Sequence, residues 1–255
     1  MKHYLPILSA LVILFSSCSK EDDLFEDPII EVPTLCVKRT VDYSSEWSVD
    51  TKIYDYNYEG TKLIDWTYTS IRDNETSTVT YTNLYQNDVI TGMIVANDNS
   101  TDYYEFERDS NNRVTKQIKN GSEEFTWIYS GLVAAKFNDS GDLIGEQTYD
   151  GDYNLIKNKY KDGSDPTWTQ IYENTHDNKN MPFMNVHSWY PLSPYRYVSP
   201  NNTTSVTTVL SDSPFNPTGS VMAMDISYGI DDFPTSIYTT YSDGKWKSET
   251  LEYNN

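Results

Sequence analysis

The sequence predicts an all-β fold: an antiparallel meander of many short strands, forming a curled sheet or open barrel with one irregular Pro/aromatic-rich crossover. Three observations predict it. Helical periodicity is nearly absent, and the chain instead alternates in runs rich in Tyr, Thr, Val, Ile and Trp. Asn, Asp and Gly clusters separate the runs and supply the left-handed conformations that tight hairpins need. A loose motif also recurs every ~20–25 residues, about two strands.

Taken in order, residues 1–17 read as a signal. Lys2 and His3 come first, Leu5 to Phe15 is almost unbroken apolar sequence, and Ser16-Ser17 follow. An apolar stretch of about 7–15 residues before small residues is an export signal, and it falls short of the ~20 residues that span a bilayer. Residues 18–33 begin with Cys18 and run on through SKEDD and further acids, an acidic tether. Residues 34–255 are left as a single repeat-built β domain, long enough to bury a core without disulfide staples.

Within the domain, Tyr54, Tyr56 and Tyr58 fall at spacing two, as do Ile64, Trp66 and Tyr68, then Tyr104 and Phe106, then Phe125, Trp127 and Tyr129. Alternate strand residues share a face, so each set lines one side of a sheet. EGTK at 59–62, DSNN at 109–112, NDSGD at 138–142 and DGD at 150–152 join successive runs as turns. None has the ordered oxygens and closing Glu of a helix–loop–helix calcium site. Cys36, inside the strand-like TLCVKRTV, reads as a small core residue.

The alternation stops between Tyr172 and Asn202, where Pro182, Pro191, Pro194 and Pro200 rule out a central strand. Phe183 to Tyr190 is expected to form a short helix behind Pro182, and Pro191 to Pro200 to run extended or turned. A long loop in a compact domain either carries function or covers a sheet. This one holds both histidines of the exported chain, His176 and His187, with Trp189, Tyr190, Tyr195 and Tyr197.

Several segments carry resemblances. LFSSC resembles a bacterial lipobox, with Phe15 where Leu, Val or Ile is commoner, which implies lipidation of Cys18. The following SKEDD looks like the signal that sends Bacteroidetes lipoproteins to the outer face of the outer membrane. YNYEGTKLIDWTY, FERDSNNRVTKQI, FNDSGDLIGEQTY, YDGDYNLIKNKY and ISYGIDDFPTSIYTTY resemble tyrosine–aspartate repeats of bacterial surface proteins, without their usual Gly-Arg. Asp177-x-Lys179-x-x-Pro182-Phe183 followed by Ser199-x-Asn201-Asn202 looks like a signature of uncharacterised Bacteroidetes surface lipoproteins, Met181 standing where Asn is commoner. The resemblance implies an all-β lipoprotein facing the cell exterior, with haem or another porphyrin as a ligand for some members.

A formal charge of −19, one unit more negative once Lys2 leaves with the signal, excludes nucleic acid and electrostatic docking on anionic lipid. The membrane is then reached through a lipid anchor only. No Gly-x-Ser-x-Gly elbow, phosphate-cradling loop or His-Glu-x-x-His is present, and no metal centre is expected. The expectation is a non-enzymatic module. A glycoside hydrolase, needing only two carboxylates, is the enzyme class left standing. Three binding readings stay open. One is a porphyrin held by the crossover, His187 preferred over His176 as axial ligand because Val186 and Trp189 flank it. Another is a glycan stacked on exposed aromatics. The last is a structural or adhesive module without a small ligand.

Overall fold

A computed structural model of the chain describes residues 33–44, 50–73, 75–161, 167–183, 185, 199–211 and 217–254. Cys18, His187, Trp189, Tyr190, Tyr195 and Tyr197 lie outside the described residues. Sixteen strands run in order: β1 (Cys36–Tyr43), β2 (Asp50–Glu59), β3 (Lys62–Arg72), β4 (Glu75–Gln86), β5 (Val89–Asn97), β6 (Thr101–Arg108), β7 (Val114–Lys119) and β8 (Ser122–Ser130). There follow β9 (Val133–Asn138), β10 (Leu143–Tyr149), β11 (Leu155–Tyr160), β12 (Gln170–Asn180), β13 (Asn201–Ser211), β14 (Val221–Tyr228), β15 (Pro234–Tyr241) and β16 (Trp246–Tyr253). Each strand pairs antiparallel with the next, and β1 pairs with β16 from Cys36↔Tyr253 to Tyr43↔Lys247. The expected curled sheet therefore closes into a barrel, which removes the unpaired edges of an open sheet. Closure uses only residues 36–253, so the barrel is complete without the segment before Pro33.

Register decides what faces inward. Tyr54 opposes Tyr68 and Tyr56 opposes Trp66, which in turn opposes Tyr81. Tyr104 with Phe106, and Phe125 with Trp127, occupy the same face farther round. Tyr54, Phe106 and Trp127 are buried, whereas their outward neighbours Tyr103 and Ile128 are 55% and 57% exposed. All four aromatic sets seen in the sequence thus line the inside. Outward positions are mainly polar: Asp55 and Asn57 on β2, Thr67 and Thr69 on β3, Thr76 to Thr82 in alternation on β4, Ser248, Thr250 and Glu252 on β16, with Ile71, Leu84 and Trp246 among the apolar exceptions.

The turns follow the sequence chemistry. Asp109 Oδ1 accepts the backbone N–H groups of Asn111 and Arg113, Asn138 Oδ1 those of Ser140 and Asp142, and Asp150 Oδ1 those of Asp152 and Asn154, all between 2.8 and 3.1 Å. The two-residue β4–β5 turn places Asn87 and Asp88 at φ 50° and 64°, the left-handed pair of a type I′ hairpin.

One barrel end is sealed by a device that recurs along the chain. Just before the hairpins at this end a large side chain opposes an aliphatic one beyond a bulge: Tyr58↔Leu63, Tyr85↔Ile90, Arg108↔Val114 and Tyr149↔Leu155. In the first three the polar head bonds the carbonyl of the preceding pair; Tyr129, in a pair with Ala134 that has no bulge, does the same, and Tyr149 Oη instead donates to Gln147 Oε1. Tyr58 Oη donates to Cys36 O at 2.8 Å, Tyr85 Oη to Leu63 O at 2.9 Å, Arg108 Nε to Ile90 O at 2.8 Å and Tyr129 Oη to Val114 O at 2.8 Å. A bulge leaves a ladder group unpaired, and a buried carbonyl needs a donor. Of the five repeat-like segments, FNDSGDLIGEQTY turns at the opposite end, through Asn138–Asp142. The hairpins at Tyr85–Ile90 and Tyr129–Ala134, not among those segments, carry the device instead.

The crossover is shorter than the prolines suggested. Strand β12 continues to Asn180 and β13 starts at Asn201. The sequence hid this because Glu173–Asn180 has no Val, Ile or Tyr, and its buried positions are filled by polar groups such as Asn174, whose Nδ2 donates to Leu155 O at 2.8 Å.

Candidate functional site

Two places bring chemistry-bearing side chains together. The first holds His176, near the end of β12. Its half-buried ring puts Nε2 3.0 Å from Ser199 Oγ and 3.3 Å from Thr203 Oγ1. Burial lowers its pKa, with Asp150 and Asp177 pulling the other way. Ser199 Oγ also accepts the Leu155 N–H at 2.9 Å. Asp177 Oδ1 accepts the N–H groups of Lys179 and Asn202 at 2.9 and 3.1 Å, and its Oδ2 accepts the Tyr228 hydroxyl. Lys179 Nζ pairs with Asp232 Oδ1 at 2.7 Å, and Asn202 Nδ2 donates to Asn180 O at 3.0 Å. The signature residues Asp177, Lys179, Ser199, Asn201 and Asn202 are therefore a latch. They tie the two feet of the crossover to each other and to the turns after β10 and β14. Phe183 packs edge-on to Tyr56, 4.9 Å between ring centroids, and joins Leu35, Cys36, Leu63 and Leu251 in the core of the sealed end. Cys36 is fully buried there, and burial pushes its thiol up to about 12, which makes it inert at neutral pH.

The second place is the lumen above that seal. A circular barrel of sixteen strands at ~4.8 Å spacing is roughly 30 Å across, wider than two facing side-chain layers. Some inward residues of the wall are only half-buried, among them Trp66, Tyr68 and Tyr81, whereas Tyr54, Phe106 and Trp127 are buried. Trp66 and Tyr81 stack at 4.6 Å with planes 3° apart, and Tyr54 meets Tyr68 at 5.2 Å. Beside this aromatic wall Arg39 stands 5.4 Å from the Tyr54 ring and pairs with buried Glu249 at 2.5 Å, while Lys247 takes the other carboxylate oxygen at 2.8 Å. Burial pushes the Glu249 pKa up, but Arg39 and Lys247 outweigh it and leave the carboxyl below its usual range. Half the circumference away, Lys136 on β9 is 8% exposed, with Nζ 3.3 Å from the Phe125 centroid and 5.7 Å from that of Trp127. Burial pulls its ammonium down to about 8, against the attraction of Glu124.

None of Arg39, Lys136, Lys247 or Glu249 stood out in the sequence as a site residue. The signal was present for Lys136: it sits in phase with Ala134 and directly opposite Trp127, an inward register position.

No known family profile matches the chain, and neither does any curated protein. Among solved structures, a porin-like protein from Bacteroides uniformis ATCC 8492 aligns over 87% of this chain and 99% of its own, at 13% identity and a TM-score of 0.57. A putative outer membrane lipoprotein-sorting protein domain from Vibrio parahaemolyticus aligns over 87% and 85% at 10% identity, with a TM-score of 0.24 that lies below a shared fold. The first likeness fixes the class of architecture: a closed antiparallel meander barrel. The side-chain arrangement, however, is the reverse of a membrane pore. Pore barrels turn an apolar band about 25 Å tall toward lipid and keep a polar channel. Here, among the described residues, the outward positions are mainly threonines and acids, with scattered apolar exceptions such as Tyr103, Ile128, Tyr238 and Trp246, and most aromatics face in.

Proposed function

We propose that this chain is a non-catalytic, lipid-anchored outer-membrane surface protein whose barrel stands in water and holds a flat, largely apolar ligand in its lumen. The reversal of faces carries the reading. A polar exterior needs solvent rather than hydrocarbon, and a row of half-buried aromatic rings offers stacking faces of the kind small-molecule sites use. The lipobox-like LFSSC supports an anchor at Cys18, since lipid chains contribute about 0.8 kcal/mol per buried CH₂ and more than one gives stable attachment. The porin-like neighbour is consistent with an outer-membrane setting.

A porphyrin is the first candidate ligand. Titration of residues 33–255 with haemin and with metal-free protoporphyrin, in detergent-free buffer, tests this. Saturable spectral shifts with both, weakened by Trp66→Leu, are expected for a lumen site. A shift confined to haemin and lost in His187→Ala would move the site to the crossover. No saturable change with either would remove the porphyrin.

A second reading has one observation of its own. Tyr238 and Trp246, 44% and 36% exposed on the outer face, stack at 5.8 Å with planes 27° apart, a platform for a sugar ring. Loss of glycan-array signal in Trp246→Ala, with lumen variants unaffected, would favour it.

A further inference from the structure

The first and last strands both meet the sealed end of the barrel. Leu35 and Cys36 belong to the core of the seal, and Leu35 O accepts the Asn254 N–H at 3.2 Å. Two neighbouring hairpins at this end carry large apolar side chains into solvent. The Ser130↔Val133 pair leaves Gly131-Leu132 as the β8–β9 turn, and Leu132 is 39% exposed. In the β10–β11 turn Asp150 N–H donates to Asn154 O, and Tyr153 is 58% exposed. Tyr149 N–H donates to Leu132 O at 2.9 Å, which holds the two turns side by side. Tyr153 has φ 64°, a left-handed conformation that Gly or Asn adopts readily and a bulky residue only at a cost. The turn itself therefore does not explain a tyrosine here, and strain of this kind marks functional positions. Cations at the same end are neutralised: Lys62 pairs with Asp88, Arg113 with Asp109 at 2.6 Å and Lys179 with Asp232 at 2.7 Å.

We propose that the sealed end docks on a lipid surface, with Leu132 and Tyr153 entering the headgroup layer and the opposite barrel end turned away from the membrane. The proposal rests on the lipid-anchor reading above and adds to it a direct contact and an orientation. The place where the chain enters the barrel sets the direction. Pro33 stands fifteen positions after Cys18. A flexible run of that length spans ~20 Å on average. A wall of strands about ten residues long, tilted by about 40°, is roughly 25 Å tall. An anchor at Cys18 therefore brings the sealed end to the bilayer far more readily than the opposite end, for which the tether would have to climb the whole wall. Tethering also gives an effective concentration on the order of millimolar, so a weak contact is enough. Tyrosine suits such a boundary, because its ring is apolar and its hydroxyl stays wet. Asp152 precedes Tyr153 and the cations just named are paired, so apolar side chains rather than charge make the contact.

The test couples residues 18–255 through Cys18 to a maleimide lipid in phosphatidylcholine nanodiscs that also carry a gadolinium-chelate headgroup. Cys36 is fully buried and does not compete for the maleimide. Relaxation of the backbone amides then reads their distance from the bilayer. The proposal expects amides of residues 131–133 and 151–154 to broaden several-fold more than those of 139–142, in the β9–β10 turn at the opposite end. Leu132→Ser combined with Tyr153→Asn should reduce that difference about twofold or more, and Tyr153→Asn alone should give part of the loss. Thermal stability should be unchanged or raised, because Asn suits the left-handed backbone. Equal broadening at the two ends, or stronger broadening at 139–142, would overturn the orientation. An undiminished difference in both variants would mean that the tether alone sets it, and would overturn docking through Leu132 and Tyr153. A several-fold gain on adding anionic lipid would overturn apolar contact as its basis. Chemical coupling makes these outcomes independent of the anchor reading, which is tested apart by incorporation of an alkynyl fatty acid in cells and its loss in Cys18→Ser.

Discussion

At the sealed end of the barrel, polar heads close their own account: the hydroxyls of Tyr58, Tyr85 and Tyr129 each bond a carbonyl that a neighbouring hairpin leaves over. In the wall above, tyrosine and tryptophan recur at the same inward positions, but ionised groups, Arg39, Lys136, Lys247 and Glu249, stand among them beside amides such as Gln117 and Gln147. The residue types are similar and the alternation is the same. What differs is charge. The seal joins neutral hydroxyls and a guanidinium to carbonyls, although Arg108 Nη2 and Asn83 Oδ1 make no hydrogen bond there. The wall gathers ionised groups beside its aromatic rings, which costs stability and is a mark of sites.

Four substitutions would sharpen or break that contrast. Glu249→Ala leaves half-buried Arg39 and Lys247 without their carboxylate and should cost about 3–5 kcal/mol in denaturant unfolding. Because the folded state holds this carboxyl below its usual pKa, its contribution is present at neutral pH and fades as pH drops beneath the unfolded value near 4.5. Wild type and Glu249→Ala should therefore converge in stability in acid. Leu63→Ala in the seal should cost about 2–5 kcal/mol and read out as a lowered unfolding midpoint. Tyr58→Phe removes the donor to Cys36 O while keeping the ring, for about 1–2 kcal/mol. Lys136→Met should go the other way. Since burial lowers its folded pKa, the lysine destabilises the fold at every pH below about 8, and that cost vanishes as pH climbs from 8 toward 10.5. The variant should be more stable at pH 7 by roughly 1–2 kcal/mol, with the gap closing in alkali. A loss of stability instead would show that Lys136 is part of the finished core.

Much of the fold was legible. Spacing-two aromatics at Tyr54–Tyr58, Phe125–Tyr129 and elsewhere are a local signal, and they report the inward face directly. Asx chemistry at Asp109, Asn138 and Asp150 likewise needs only neighbouring residues. Closure did not show, because Cys36 meets Tyr253 only through the register accumulated over sixteen strands. Strand β12 was missed because its buried position beyond Tyr172 is an amide, Asn174, whose Nδ2 bonds Leu155 O on the neighbouring strand. The signature around Asp177 and Ser199 was visible as a pattern, but its work as a latch depends on Tyr228 and Asn154, from turns distant in sequence. Lys136 was invisible for the same reason: a lone lysine in a strand reads as solvated until its register opposite Trp127 is known.

The central claim is that a flat ligand meets the inside of this barrel and water meets the outside. Fluorine NMR of residues 33–255 labelled with 5-fluorotryptophan tests it without altering a contact, the resonances being assigned by single Trp→Phe variants. Titration with metal-free protoporphyrin should shift the resonances of inward Trp66 and Trp127 saturably and leave that of outward Trp246 in place. A shift of Trp246 with Trp66 and Trp127 unmoved would put the ligand on the outer face and contradict the account.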